Sequence, residues 1–273
     1  YGNFNLSNIN FCLREDSITG FIGTNGAGKT TTIRTILGLG MRESGTIKFF
    51  GKDIDKYEYE LKNRIGVVMD DGGFYDELTM KEMKSIISPA YANWNERDYK
   101  SYMEYFSLNP HQKISTLSKG MRMKFALTLA LSHQADLLIM DEPTSGLDPL
   151  IRLELMNILT DYIKQGGKSI FFSTHITSDL DKIADRIILI NNGKILFQEE
   201  KDMLINGHRL IKGDPKNLTV KTEKLFLNIE KSEFEFTGIT NKLDQVQKSM
   251  KDILIKTPTI EEIMLGYVKE GEN

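Results

Sequence analysis

Cysteine is almost absent from this sequence, since Cys12 is the single example among 273 residues. One cysteine excludes an intramolecular disulfide framework and a zinc site built from several cysteines. We therefore expect a reducing, cytosolic compartment. Cys12 itself is predicted to be a small buried hydrophobe on a strand.

Long apolar runs are also missing. The densest stretches, Phe125 to Leu131 and Leu137 to Met140, are far shorter than the roughly 18 to 20 residues that cross a bilayer. The opening residues, Tyr1 to Asn10, are too polar for the apolar core of a signal peptide. We expect no membrane-spanning segment in this chain.

The sequence has little excess charge of either sign, with a formal net charge of -3. Basic residues are scattered among acidic ones, so the chain lacks the overall positive field that gathers nucleic acid, and we expect no nucleic-acid partner. With 40% hydrophobic and 27% charged residues, it can bury a substantial core as one large domain or one domain with an appendage.

Apolar runs of strand length alternate with longer amphipathic stretches, which is typical of an α/β protein. A buried strand is predicted to end at Phe21 to Gly23, and a helix to begin near Lys29. Leu137 to Asp141 and Ser169 to Ser173 are continuous apolar runs, as expected for parallel strands that are covered on both faces.

Between Leu78 and Leu131 the pattern becomes helical, notably at Lys81 to Ile87 and Asn95 to Phe106, which predicts a helical subdomain inserted into the α/β core. Asn-Asn-Gly at 191–193 lies between two apolar arms and predicts a β-hairpin that closes the core.

The character of the sequence changes again after residue 206. We expect an α/β domain over residues 1–206 and a small α+β appendage over residues 207–273. Within the appendage, Leu225 to Ile229 is predicted to be a strand and Thr259 to Val268 a closing helix.

A complete phosphate-loop motif, GxxxxGK[ST], stands between the first predicted strand and helix. Its glycines allow successive N–H groups to point at phosphate oxygens, and the helix N-terminus adds partial positive charge. Lys29 is expected to reach the β- and γ-phosphates, and the Thr30 hydroxyl to ligate Mg²⁺. The alternative is a glycine-rich turn without a ligand. The predicted ATP-binding residues here are Thr24, Asn25, Gly26, Ala27, Gly28, Lys29, Thr30 and Thr31.

Two adjacent acids follow the apolar strand at 137–140. Ligands of open α/β sheets bind at the carboxyl ends of strands. Asp141 is therefore expected to hold Mg²⁺, and Glu142 to act as the general base that polarises the attacking water.

Just upstream of the acidic strand, Leu117-Ser118-Lys119-Gly120-Met121 resembles the LSGGQ signature of ABC ATPases, and the motifs of residues 1 to 205 follow the order of that family. The resemblance implies a P-loop NTPase with a RecA-like core and an inserted α-helical subdomain. It also implies a second ATPase subunit, identical or a paralogue, whose nucleotide is contacted by Ser118 and Gly120. Lys119 and Met121 depart from the usual Gly and Gln.

Three further segments match the family. Ser145-Gly146-Leu147-Asp148 resembles the D-loop, which implies that Asp148 lies near nucleotide at the subunit interface. His175, in Ser173-Thr174-His175, resembles the switch histidine that contacts the γ-phosphate and the catalytic glutamate. Tyr1 resembles the aromatic residue that stacks on adenine.

Asp70 occupies the position where the family has the glutamine of the glutamine loop, when Ile65 to Asp70 is aligned with that loop. A carboxylate can still ligate Mg²⁺, so we predict Asp70 as a further metal ligand. The alternative is an alignment slip of one residue, with Asp71 or neither acid at the metal.

The resemblance implies an ATP-hydrolysing subunit of an ABC transporter, attached to the cytoplasmic face of the membrane through a separate permease that docks near the Asp70 loop and the helical subdomain. Asn93-Trp94-Asn95 and the segment 257–263 resemble peptide and drug exporter ATPases of Gram-positive bacteria, including exporters of phenol-soluble modulins.

Two other classes stay open: a non-transport ABC ATPase of the translation or DNA-maintenance type, and a catalytically quiet binding module. The absence of a coiled-coil insertion, a second cassette and zinc-binding cysteines argues against the non-transport ATPase. The presence of Glu142 and His175 argues against the catalytically quiet module.

Overall fold

A computed structural model describes residues 4–70 and 72–270. Tyr1 and Asp71, which carry two of the predictions above, lie outside the described residues. In chain order the strands are β1 (Ser17–Ile22), β2 (Lys48–Phe49), β3 (Lys52–Asp53), β4 (Ile65–Val68), β5 (Leu137–Asp141), β6 (Ser169–Thr174), β7 (Arg186–Asn191), β8 (Lys194–Glu200), β9 (Arg209–Gly213), β10 (Asn228–Lys231), β11 (Phe236–Thr240) and β12 (Leu254–Lys256). The α-helices are α1 (Lys29–Ile36), α2 (Ile54–Lys62), α3 (Met80–Ile87), α4 (Glu96–Tyr105), α5 (Lys119–Ser132), α6 (Pro149–Ile163), α7 (Thr177–Ile183), α8 (Lys201–Gly207), α9 (Val220–Glu223), α10 (Leu243–Ser249) and α11 (Ile260–Glu270).

Six strands form the main sheet, in the order β4-β5-β6-β1-β7-β8. All neighbouring pairs are parallel except the last, β7 with β8, which is the predicted hairpin. β1, β5 and β7 are buried along their whole length, and for β5 its continuous apolar sequence predicts this burial. The α/β fold class and the hairpin are therefore confirmed.

Alternate residues of the strands enter two separate hydrophobic clusters, because successive side chains point to opposite faces of a sheet. In β5, Leu138 and Met140 belong to one cluster, whereas Leu137 and Ile139 belong to the other. The first cluster includes residues of α3 to α7, and the second includes residues of α1 and α2. The sheet is thus a central layer with helices on both faces.

The predicted helical insertion is present between β4 and β5, as α3, α4 and α5. Buried Met80, Met103 and Leu127, one from each helix, join the same hydrophobic cluster as one face of the sheet. The insertion therefore packs on the core through apolar side chains of all three helices.

The prediction for Cys12 is wrong, because its side chain is exposed and lies outside the strands. The segment before β1 packs on the second cluster through Leu6, Ile9, Phe11 and Leu13. Cys12 lies between two of these inward-facing residues, and the alternation turns it outward.

Residues beyond β8 form a second, antiparallel sheet in the order β10-β11-β9-β12, with a small cluster of its own around Ile211 and Phe236. The strand predicted at 225–229 is misplaced: β10 begins at Asn228, and Thr222 and Glu223 accept hydrogen bonds from the N–H groups of Leu225 and Phe226 in a turn.

The closing helix returns to the main core, although the sequence placed the end of that core at the hairpin. In α11, Ile260 and Ile263 are fully buried and belong to the large cluster on one face of the main sheet. Apolar residues at helical spacing in α11 therefore pack this helix on the main core.

Among residues 4–70 and 72–270, no helix combines the length and the apolar character that a membrane span requires.

Candidate active site

The predicted phosphate loop joins β1 to α1. Gly26 and Gly28 have φ values of 81° and 113°, which side chains other than glycine rarely adopt. α1 begins at Lys29, and no side chain caps its first turn at Gly28. The unpaired N–H groups of this turn are available to an anion, as phosphate binding requires.

Lys29 is the cation at the centre of the loop, and its side chain is only 6% exposed. Its Nζ donates to the carbonyl oxygens of Gly23 and Thr24, at 2.8 and 3.3 Å, and lies 3.1 Å from Glu142 Oε1. The protein itself thus supplies three acceptors for the ammonium group.

Glu142 follows β5 directly and is held at both carboxylate oxygens. Oε1 contacts Lys29, and Oε2 accepts from the His175 backbone N–H at 3.2 Å and lies 2.7 Å from His175 Nδ1. Its φ of 50° is uncommon for a residue with a side chain and turns the chain sharply at the end of the strand. The strand register, which sets Asp141 opposite Ser173, brings Glu142 and His175 together.

Asp141 is the last residue of β5 and is 3% exposed. The Ser173 hydroxyl donates to Asp141 Oδ1 at 2.6 Å and accepts from the Glu142 N–H at 3.1 Å. Ser173 therefore contacts the carboxylate of Asp141 and the backbone of Glu142, which its position in the sequence motif did not reveal.

An open cleft lies beside Lys29, Glu142 and His175. Its lining residues are Phe4, Asn25, Gly26, Gly28, Lys29, Thr30, Thr31, Asp70, Glu142, Ser145 and His175. Most of the predicted ATP-binding residues of the phosphate loop thus lie together with the three candidate catalytic residues, Lys29, Glu142 and His175. Thr24 and Ala27 are not in this lining: the Thr24 carbonyl accepts from the Ala27 N–H at 3.1 Å, within the loop's own turn.

Phe4 was not predicted as a site residue. Its ring lies close to Gly28, where an added Cβ would come within 2.9 Å of Phe4 Cζ. No motif contains Phe4, so only the fold of the segment before β1 reveals it at the cleft.

Four further predicted residues lie outside the lining of this cleft: Asp141, Ser118, Gly120 and Asp148. Ser118 caps α5, and its Oγ accepts from the Met121 N–H at 3.2 Å. Asp148 caps α6. Gly120 is buried beside Ile151, whose Cδ1 would be 2.6 Å from an added Cβ.

Asp70 lines the cleft and also forms an ion pair with Lys119, in which Nζ and Oδ1 are 2.6 Å apart. Thr30, Asp70 and Asp141 offer only oxygen ligands, the type that Mg²⁺ prefers. The described residues contain no cluster of three or more His, Cys, Asp or Glu suited to a metal ion. Mg²⁺ usually binds one or two carboxylates together with substrate phosphates.

A family model described as "ABC transporter" matches residues 6–145, which is about half of the chain. Among curated proteins, a bacitracin transport ATP-binding protein (BcrA) of Bacillus licheniformis is 34% identical over 206 residues, which are 75% of this chain and 67% of that protein. Its namesake of Enterococcus faecalis is 30% identical over 245 residues, 88% of this chain and 78% of that protein.

Among solved structures, an ATP-binding subunit of an ABC transporter is 27% identical, with a TM-score of 0.68 over 76% of this chain and 88% of that one. Its likeness supports the ABC ATPase fold that the signature motif implied. The phosphate loop, the paired acids and these comparisons agree, and the chain belongs to the ABC transporter family as an ATP-binding subunit with ATPase activity.

Proposed function

We propose that two ATPase subunits, this chain and an identical or paralogous partner, bind two ATP molecules between them and power a separate permease that exports a peptide or other amphipathic substrate. The observation that carries the proposal is the Glu142 carboxylate, which lies between Lys29 and His175 in the cleft beside the phosphate loop. A second subunit is supported by Ser118 and Gly120, which lie outside their own chain's cleft.

When ATP binds, the Lys29 ammonium group exchanges one anionic partner for another. The triphosphate offers anionic oxygens to the ammonium group and to the uncapped first turn of α1. Lys29 then contacts phosphate in place of the Glu142 carboxylate, which becomes available for catalysis.

Hydrolysis follows from the position of Glu142. Its carboxylate accepts a proton from water as the water oxygen forms a bond to the γ-phosphorus and the bond to the β–γ bridging oxygen breaks. His175 holds Oε2 of Glu142 and fixes the direction of the base. Thr30, Asp70 and Asp141 would hold Mg²⁺, which neutralises charge on the phosphates.

Closure of the subunit pair depends on the γ-phosphate. We assign Ser118, Gly120 and Asp148 to contacts with the nucleotide of the partner subunit, and Tyr1 to adenine stacking. Loss of the γ-phosphate removes charge-assisted contacts from both subunits, so hydrolysis favours reopening.

The substrate class is inferred from the relatives, two of which are named for bacitracin transport. Bacitracin is a peptide, and exporters of phenol-soluble modulins are a candidate subtype.

We place the chain at the cytoplasmic membrane face, with the permease near the Asp70 loop and the α3–α5 insertion. We further propose that residues 1–206 form the ATPase domain and residues 207–273 an appendage. The same relatives favour transport over translation or DNA-maintenance roles.

The catalytic assignment is tested with Glu142→Gln, measuring ATP hydrolysis and ATP binding separately. We expect hydrolysis to fall by about 10² to 10⁴, the usual contribution of a general base, while ATP stays bound with Mg²⁺. Glu58→Gln is the matched control, because Glu58 is an exposed carboxylate paired with Lys62 on α2. Unchanged hydrolysis in Glu142→Gln would remove Glu142 from the mechanism.

The assembly is tested with the same variant. Glu142→Gln should form dimers with Mg·ATP in size-exclusion chromatography and remain monomeric with ADP, and Lys29→Ala should stay monomeric with both. Cross-linking in native membranes should capture an integral membrane protein, and peptide should stimulate ATP turnover of the reconstituted complex. Capture of ribosomes or nucleic acid instead would contradict the transport role.

A further inference from the structure

The two positions at which this chain departs most clearly in charge from the family pattern are in contact with each other. Lys119 stands where the signature has glycine. Asp70 stands where the family has glutamine when Ile65 to Asp70 is aligned with the glutamine loop. Lys119 Nζ and Asp70 Oδ1 are 2.6 Å apart. A glycine at 119 could not make this contact, so the two departures complement one another.

The start of α5 explains why an acid is needed there. Lys119 and Arg122 lie at this helix N-terminus, whose first turn contains no acidic residue. A helix N-terminus carries partial positive charge, so cations there are unfavourable unless an anion is near. Asp70 and Asp76, which lie between β4 and α3, supply that charge: Arg122 Nη2 and Asp76 Oδ1 are 2.6 Å apart.

The two ion pairs differ in their position relative to nucleotide. Asp70 lines the cleft with Thr30, Lys29 and Glu142, whereas Asp76 does not. The side chains of Lys119 and Asp70 are 44% and 49% exposed, and ion pairs so exposed are readily broken. Asp70 is therefore a weakly held carboxylate at the edge of the ATP site.

Lys119 also covers the turn before α6. The Gly146 Cα faces its stem so closely that an added Cβ would lie 3.3 Å from Lys119 Cδ. Release of Lys119 would uncover this turn, which resembles the D-loop, and would free a cation at the start of α5.

We propose that Lys119 is a positioning residue that holds Asp70 away from the metal ion of Mg·ATP, and that Asp70 gives up Lys119 when Mg·ATP binds. The Lys119–Asp70 pair is thus a latch between the cleft and α5. This inference rests on the proposed function, because it assumes that Mg·ATP occupies the cleft and that the start of α5 faces a partner subunit.

The test measures ATP affinity in the Glu142→Gln background, once with Mg²⁺ and once with EDTA. Lys119→Met removes the competing cation, so ATP affinity with Mg²⁺ should rise about two- to fivefold, or roughly 0.4 to 1 kcal/mol. Affinity in EDTA should stay unchanged, and Lys119→Arg should behave as wild type. Lys164→Met is the control, since Lys164 pairs with Asp161 in an exposed ion pair at the far end of α6.

Asp70→Asn, alone and combined with Lys119→Met, completes a double-mutant cycle. It should reduce the gain in ATP affinity that Mg²⁺ provides, and Lys119→Met should have no further effect on that background. The latch is overturned if Lys119→Met leaves affinity unchanged, or changes it equally with Mg²⁺ and EDTA. If the Glu142→Gln protein with Lys119 and Asp70 intact fails to bind Mg·ATP, the proposed function itself fails.

Discussion

At the scale of single residues, the cleft depends on backbone conformations that glycine allows. Gly28 combines a φ of 113° with close neighbours, since an added Cβ would lie 2.9 Å from both Phe4 and Leu6. Gly45 has a similar φ of 95° but nothing within 4 Å of an added Cβ. A comparison of substitutions at these two glycines therefore distinguishes the effect of backbone strain from that of steric contact.

We predict that Gly28→Ala lowers the free energy of unfolding by about 1 to 3 kcal/mol and weakens ATP binding at least ~10-fold, because strain and contact both displace the phosphate loop. Gly45→Ala should lose stability through strain alone and keep its ATP affinity. Chemical denaturation and ATP titration measure both effects, and equal ATP affinities in the two variants would contradict the prediction.

His133 is a second residue with a defined physical effect. It is 1% exposed, stacks on Tyr91 at 3.8 Å, and its ring nitrogens lie 3.1 and 3.2 Å from the carbonyl oxygens of Leu129 and Ile65. Burial lowers the pKa of His133, and this outweighs the opposite influence of the two carbonyl oxygens.

A lowered pKa in the folded state means that the unfolded chain binds the proton more readily. Stability from His133 is therefore fully present above the unfolded pKa of about 6.5 and is lost as pH falls towards the folded pKa. We predict that the wild-type free energy of unfolding decreases from pH 7.5 to 5.5 more steeply than that of His133→Gln. Exposed His111, changed to Gln, is the control and should keep the wild-type slope.

At the scale of secondary-structure elements, Asp148 stabilises the start of α6. Asp148 Oδ1 accepts from the N–H groups of Leu150 and Ile151, at 3.0 and 3.1 Å, and Pro149 occupies the first position of α6. Asp148 is thus a helix cap in the single chain, whatever it contacts in a subunit pair.

We predict that Asp148→Ala lowers the free energy of unfolding by about 1 kcal/mol without nucleotide, whereas Asp148→Asn keeps near wild-type stability because asparagine caps equally well. Equilibrium denaturation of the nucleotide-free chain makes the comparison. Equal stability of the Ala and Asn variants would show that the cap contributes nothing.

At the scale of the whole molecule, α11 joins the end of the chain to the main core. Ile263 is fully buried in the large cluster, while Leu265 on the same helix is 37% exposed. The residues after β8 are therefore packed on the main core through α11.

We predict that Ile263→Ala lowers the free energy of unfolding by about 2 to 5 kcal/mol, the usual range for removing a buried aliphatic side chain, and that Leu265→Ala has a much smaller effect. Unfolding should remain one cooperative transition in wild type, followed by circular dichroism and by Trp94 fluorescence. A separate early transition that alone responds to Ile263→Ala would mean that α11 does not stabilise the main core.

The sequence by itself determined the chemistry of this protein. Short-range signals were sufficient for the phosphate loop, the strand before Asp141 and the start of α1 at Lys29, because turns, periodicity and helix starts depend on neighbouring residues. The family resemblance was needed for His175, since a lone histidine after a strand has no distinctive local signal.

Tertiary structure decided what depends on residues distant in sequence. It placed Phe4 at Gly28, Ser173 between the two acids, and Lys119 on Asp70, contacts that no local pattern encodes. It also turned Cys12 outward and returned α11 to the core. Local propensity specifies elements, but strand order and long-range packing decide which side chains meet.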